Sequence, residues 1–168
     1  NDPDADRCAA AVAGPGGWRM LRGDEVGALL GSHLLAKGVA AGVLPDSPEC
    51  VFANSIVSSR LLSAMARTAG VRHEETLTGF KWIWHKALEV APEGASFVYG
   101  FEEALGYCVG RAVRDKDGVG AAQAMMDLAA FEKANGRTLI DRLDAIALAI
   151  GVSHTDQVTL TLPGLEGM

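Results

Sequence analysis

The sequence predicts an α/β protein, a three-layer α/β/α sandwich around a mixed, largely parallel sheet. Two observations point there. Short apolar runs of strand length alternate with longer segments whose apolar positions recur at helical spacing. Glycines, serines and aspartates punctuate the junctions, where helices are capped and turns are made. Such alternation builds βαβ units, whose parallel strands need helices on both faces. At 168 residues the chain holds one sizeable domain, or one domain with a piece of another, and its core needs no staples.

Taken in order, residues 8–13 form an apolar run fit for a buried strand, closed by the turn Gly14-Pro-Gly-Gly17. Residues 18–21 read as a second short strand or a linker, which places a domain boundary near 14–23. A helix opens at Gly23-Asp24, with Asp24 as its cap, Val26, Leu29, Leu30 and Leu34 as its stripe and Gly38 as its stop. His33 beside that stripe reads as a core or boundary histidine. Residues 51–57 are the next strand, and Ser58 or Ser59 caps a helix facing inward through Leu61, Leu62, Met65 and Ala66 until Gly70. Residues 71–77 make a strand with a polar face at His73, Glu74 and Glu75. Thr78-Gly79 then opens a helix over 80–90.

Residues 96–99 form a strand and 100–107 a carboxylate-bearing loop. A long helix starts at Asp117-Gly118 and runs to about residue 134, with Val119, Ala122, Met125, Met126 and Ala129 expected in the core. Thr138 and Asp141 make a capping box for a last helix ending at Gly151. Alternating Val158, Leu160 and Leu162 suggest a final strand over 155–162. No internal repeat or low-complexity tract interrupts this order.

Composition narrows the function classes. A hydrophobic content of 49% with mean hydropathy +0.16 is that of a globular protein. A net charge of −6 and a pI near 5.1 argue against a nucleic-acid surface, while leaving room for a local basic pocket. Cys8, Cys50 and Cys108 form no CxxC pair and read as buried free thiols of a reducing cytoplasm. The sequence has no apolar run of membrane-spanning length, so no membrane partner is expected.

The first seven residues, Asn1-Asp-Pro-Asp-Ala-Asp-Arg7, place Asp2, Asp4 and Asp6 on alternate positions. Three like charges so close repel unless a cation lies between them, and hard oxygen ligands suit Mg²⁺ or Ca²⁺. An EF-hand does not fit, because Arg7 stands where its glycine belongs and Ala13 where its glutamate belongs. An acidic turn at the end of an element is the plain alternative. The His73-Glu74 pair lacks the second histidine of a zinc motif, and the glycines at 14–17 match no nucleotide loop.

In parallel sheets, ligands meet the loops at the carboxyl ends of strands. Residues 2–7, 78–81 and 100–107 qualify. Glu102 and Glu103 in the last of these could accept hydrogen bonds from sugar hydroxyls, or act as an acid–base pair, or simply face solvent. Lys116 in Arg114-Asp-Lys-Asp-Gly118 lies beside a helix N-terminus, where an anion is favoured, although a charged first turn is common without one.

Together, the Asn-Asp-Pro-Asp-Ala-Asp-Arg stretch, Gly23-Asp-Glu-Val-Gly27, Thr78-Gly-Phe-Lys81, Gly100-Phe-Glu-Glu-Ala-Leu-Gly-Tyr107 and Arg114-Asp-Lys-Asp-Gly118 resemble the α-D-phosphohexomutases, the phosphoglucomutases and phosphomannomutases. The resemblance covers nearly the whole chain, and the Glu-Glu loop is most similar to the phosphopentomutase-like and actinobacterial phosphomannomutase branch.

What the resemblance implies is a piece of a four-domain enzyme. Residues 1–17 would end the second domain, 18–152 would form the sugar-binding third, and 153–168 would lead to the fourth. It also implies that Asp2, Asp4 and Asp6 hold Mg²⁺ with a phosphoserine of another domain, with Arg7 beside the moving phosphoryl group. Glu102, with Glu103 adjacent, would grip sugar hydroxyls, and Thr78, Gly79, Phe80 and Lys81 would face the sugar. Lys116 would hold phosphate or move a proton. Ala104 replaces a serine of many relatives, removing one hydroxyl contact.

The implied reaction converts a hexose 1-phosphate to the 6-phosphate through a bisphosphate; a phosphopentomutase, or a non-enzymatic sugar-binding module, is the alternative. The partner would be a phosphorylated sugar, hexose or pentose phosphate, together with the remaining domains of the same chain. On this reading the 168 residues alone lack mutase activity, and the acidic loop alone is expected to be metal-free or disordered.

Overall fold

The computed structural model describes residues 1–14, 16–41, 50–90 and 96–161. Among the described residues eleven elements follow in order: β1 (Ala11–Gly14), β2 (Gly17–Met20), α1 (Gly23–Ala40), β3 (Cys50–Ser55), α2 (Leu61–Thr68), β4 (Arg72–Thr76), α3 (Phe80–Val90), β5 (Ser96–Glu102), β6 (Gly106–Val109), α4 (Gly118–Ala134) and α5 (Leu139–Ile150). The main sheet has the order β4-β3-β5-β6. β3 runs parallel to both β4 and β5, and β6 closes the edge antiparallel. Helices cover both faces, giving the expected α/β/α sandwich.

Alternation along β3 shows how the faces are assigned. Phe52 joins the core under α1, whereas Ala53 joins a second cluster with Phe80, Ile83, Trp84 and Phe97 under α3. β5 obeys the same rule only because its register slips opposite Val51 and Phe52, pairing Val51 with Phe97 but Phe52 with Tyr99. The extra residue, Val98, turns Phe97 to the α3 side and leaves Tyr99 and Phe101 on the α1 side.

α1 lies close to the sheet because Gly23, Gly27 and Gly31 line one face of it. A β-carbon on Gly27 would sit 2.5 Å from the Phe101 ring, and one on Gly31 2.6 Å from Leu62. Tyr99 and Tyr107, both fully buried, donate their hydroxyls to the carbonyls of Gly27 (3.0 Å) and Gly23 (3.1 Å). α1 continues through Gly38, and Asp24 lies inside its first turn rather than at its cap. That carboxylate instead accepts the Ser59 amide at 2.7 Å and the Thr155 hydroxyl.

Other expectations need correction. Residues 8–13 are not a buried strand; beyond the buried Cys8, β1 pairs with β2 in an exposed antiparallel ribbon outside the main sheet. Residues 100–107 are not a loop, because Glu102 pairs with Gly106, and Phe101 and Tyr107 fill the core, leaving a turn of only residues 103–105. In α4 the buried stripe is Ala121, Met125, Leu128 and Glu132, so Val119 and Met126 face outward. The cap position of α2 is Arg60, and Ser59, one residue before it, meets the expectation of a serine cap in part, its Oγ accepting the Leu61 amide at 3.2 Å. Residues 155–161 form no strand, and residue 162 lies outside the described residues, as does Pro15 of the expected turn. The Thr138–Asp141 capping box and the stops at Gly70, Gly136 and Gly151 are present.

Candidate functional site

The acidic stretch is a docked turn. Ala5 adopts φ 59°, allowing its amide to bond the Asp2 carbonyl at 3.1 Å, and this bend gathers the carboxylates where plain alternation would have strung them along a strand. One oxygen from each of Asp2, Asp4 and Asp6 lies within 4.8 Å of the others. The turn is held by an antiparallel bridge from Arg7 to Gly106, by Cys8 N–H donating to the Leu105 carbonyl (3.1 Å), and by Gly118 N–H donating to the Ala5 carbonyl (3.1 Å). Gly118 must be glycine here, since a β-carbon would come within 2.5 Å of the Arg7 carbonyl. β6 and the start of α4 thus hold the turn in place.

Arg7 folds back on the turn, its amide and Nε donating to Asp2 at 3.1 and 2.7 Å. These bonds, the backbone one first, hold the Asp2 carboxyl below the usual range, and Asp2 in turn raises the Arg7 guanidinium. Asp6 Oδ2 pairs with Lys116 Nζ at 3.0 Å. Asp6 Oδ1 is buried, accepts no hydrogen bond among the described residues and has Arg7 Nε beside it at 3.5 Å, beyond good hydrogen-bond geometry. A buried carboxylate oxygen left without a hydrogen bond, beside two other carboxylates, is what a hard cation would satisfy. The donor set thus fits a divalent metal.

Lys116 sits at the centre of the arrangement. Its ammonium bonds Asp6 and Asp115, and lies 5.8 Å from the centre of the Phe80 ring. Partial burial works to lower its pKa, but the hydrogen bonds and charges of Asp6 and Asp115 outweigh this and raise it. Phe80 is itself buried in the core under α3, so its ring supports Lys116 from below and does not face the surface.

Next along the edge, Glu102 Oε1 accepts the Gly79 amide at 2.5 Å, joining the ends of β4 and β5. Its other oxygen takes no hydrogen bond among the described residues. Gly79 has φ 104°, a conformation that favours glycine. Thr78 is exposed, as is Lys81, whose ammonium lies 5.5 Å from the Trp82 ring. The acidic turn, Arg7, Lys116, Glu102 and Gly79 thus run contiguously along the carboxyl ends of the parallel strands.

Glu103 points elsewhere. Its Oε2 accepts from Ser58 at 2.8 Å, and Ser55 Oγ lies 3.2 Å from the same oxygen. Those serines, with Asp24 and Gly23 at the start of α1, are participants that sequence reasoning missed. Their only signal is three hydroxyls in Ser55-Ile-Val-Ser-Ser59 at a strand end. His33, as expected, is a boundary histidine bonded to Asp127 at 2.9 Å, and all three cysteines are free and buried.

The alpha/beta/alpha domain III of the phosphoglucomutase/phosphomannomutase family matches residues 22–147, well over half of the chain. The chain belongs to that family. The human phosphopentomutase is 41% identical over 160 residues, covering 92% of this chain and 26% of its own length. The probable phosphoribomutase of Schizosaccharomyces pombe is 44% identical over 127 residues, covering 76% of this chain and 21% of its own. The probable phosphomannomutase of Haemophilus influenzae is 38% identical over 168 residues, 99% of this chain and 32% of its own.

The chain therefore spans about a fifth to a third of the length of these phosphohexomutase relatives. Among solved structures, a Thermus thermophilus chain assigned to the phosphomannomutases superposes with a TM-score of 0.70 at 23% identity, over 90% of this chain and 30% of that one. The open form of Paramecium parafusin, a phosphoglucomutase, gives 0.63 at 21%, over 90% of this chain and 24% of that one. These two likenesses support the fold. Among the described residues no helix is long and apolar enough to cross a membrane.

Proposed function

We propose that this chain is the sugar-binding and metal-loop portion of a phosphosugar mutase, an isomerase that moves a phosphoryl group between two hydroxyls of one sugar. The observation that supports it best is the unbroken edge from the acidic turn through Lys116 to Glu102 and Gly79. Asp2, Asp4 and Asp6 would hold a divalent cation, which we take to be Mg²⁺; when bound, it supplies charge neutralisation to the moving phosphoryl group. Arg7 and Lys116, both kept cationic by neighbouring carboxylates, attract the anionic substrate and counter charge on its phosphoryl oxygens. In this reading Lys116, whose ammonium lies 3.0 Å from Asp6 at the edge of the turn, acts through its charge.

Glu102 offers its unengaged oxygen to a sugar hydroxyl, and the Gly79 amide fixes where that oxygen lies. A carboxylate accepts from a hydroxyl in either sugar orientation, which a mutase passing through a bisphosphate requires. Residues 1–17 belong to the preceding domain of the full enzyme, 18–152 to the third, and 153–168 lead to the fourth; the free buried thiols suit the cytoplasm. The substrate is a hexose 1-phosphate on the family assignment. The identities of 41% and 44% to pentose- and ribose-phosphate mutases favour a pentose 1-phosphate as the second reading.

Turnover of glucose, mannose, ribose and deoxyribose 1-phosphates by the longer polypeptide that contains these residues tests this. Conversion of at least one sugar is expected, with none by residues 1–168 alone. Turnover by the short chain would refute the division of labour.

A further inference from the structure

The turn joining β5 to β6 is short and strained. It contains only residues 103–105, and Leu105 adopts φ 68°, where a branched side chain is disfavoured. Something outside the turn must hold it. On one side Glu103 N–H donates to Ser58 Oγ at 3.1 Å, and Ser58 Oγ donates to Glu103 Oε2 at 2.8 Å. Ser55 Oγ lies 2.7 Å from Ser58 Oγ and 3.2 Å from the same carboxylate oxygen, so its proton serves one or the other. Both serines are buried. On the other side the Glu103 carbonyl presses on the first turn of α1, where a β-carbon on Gly23 would lie 1.7 Å from it.

We infer that Ser55, Ser58 and Glu103 form a clamp that positions Glu102, making Glu103 a positioning residue rather than a sugar ligand. Neighbouring residues at a strand end point to opposite sides, so fixing Glu103 toward the serines aims Glu102 at the loop after β4. The Gly79 amide bond at 2.5 Å is the product of that aim. The clamp ties the ends of three strands together, β3 through Ser55, β5 through Glu103 and Glu102, and β4 through Gly79. Its consequence for catalysis rests on the sugar-binding reading of Glu102; its existence does not.

Amide hydrogen exchange in the 168-residue chain tests the clamp itself. In Ser58→Ala, exchange at the Gly79 N–H should quicken about 10-fold, the equivalent of one hydrogen bond to a charged group, while Phe52 in β3 keeps its protection. Glu103→Gln, which keeps an acceptor for Ser58, should stay within about 3-fold of the parent. Unchanged protection at Gly79, or an equal rise at Gly79 and Phe52, would overturn the clamp.

In the intact enzyme, Ser58→Ala should raise KM for the sugar phosphate about 10-fold and leave kcat within about 2-fold. An unchanged KM would overturn the link to substrate. Should the intact parent turn over no phosphosugar, the functional reading falls while the exchange result still decides the clamp.

Discussion

Lys116 and His73 show how neighbours decide what a titratable side chain can do. Lys116 stands between Asp6 and Asp115, and Lys116→Met should remove the cation that pairs with Asp6. In the full enzyme we expect a loss of about 10²-fold in kcat/KM, with the pH profile unshifted, because the lost contribution is charge rather than a proton. A Lys116→Met profile that loses one limb would instead show proton transfer.

His73 is half-buried against Asn54, with its Nε2 2.6 Å from Asn54 Oδ1, and burial lowers its pKa from the ordinary 6.5 against the opposing pull of Glu75 and Glu74. Between 6.5 and that lower value the unfolded chain binds more protons than the folded one. Stability is therefore full above pH 6.5 and falls as acid is added through that window. His73→Gln should flatten the dependence of Tm on pH there, as scanning calorimetry would show. Sequence alone made the closeness of the acidic triplet legible, because three aspartates in five positions crowd their charges, while leaving a plain acidic turn open as the alternative. It did not separate Glu102 from Glu103, whose roles depend on which side of a three-residue turn each occupies.

The elements were legible where their ends carry their own chemistry. Gly70, Gly136 and Gly151 all adopt positive φ, and the Thr138–Asp141 box closes as expected. Burial of the faces was less legible, since α1 is covered by α2, α4, α5 and the sheet and shows no clean stripe. The close approach of α1 to β5 depends on small residues at four-residue spacing. Gly23→Ala places a methyl against the Glu103 carbonyl, and we expect a loss of about 3 kcal/mol, a fall of about 6–12 °C in Tm.

A second junction ties α1, α4 and α5. Glu132, fully buried at the end of α4, pairs with Arg137 at 2.6 Å and lies 3.5 Å from Arg142, which also donates to Ser32 of α1. Arg142→Leu leaves a buried carboxylate oxygen without compensation and should cost about 3 kcal/mol in chemical denaturation. A change below about 0.5 kcal/mol would show that Arg137 alone suffices.

At the scale of the molecule, the fold brings residues from the N-terminal stretch and from the middle of the sequence to one edge. Asp6 and Lys116 are far apart in sequence and in contact in the fold, a pairing that no local pattern announces. β6 and the start of α4 together seat the acidic turn against a sheet it does not enter as a regular strand. The alternation of strands and helices foretold the sandwich, but not the antiparallel β6, because its residues read as part of a polar loop.

The central claim is that this edge is one phosphosugar site. Nuclear magnetic resonance titration of the 168-residue chain with a hexose or pentose bisphosphate and Mg²⁺ tests it directly. The account predicts saturable shifts that move together at Arg7, Gly79, Glu102 and Lys116, and that Asp4→Asn and Glu102→Gln weaken. Shifts confined to other surfaces, or unaffected by both substitutions, would contradict it.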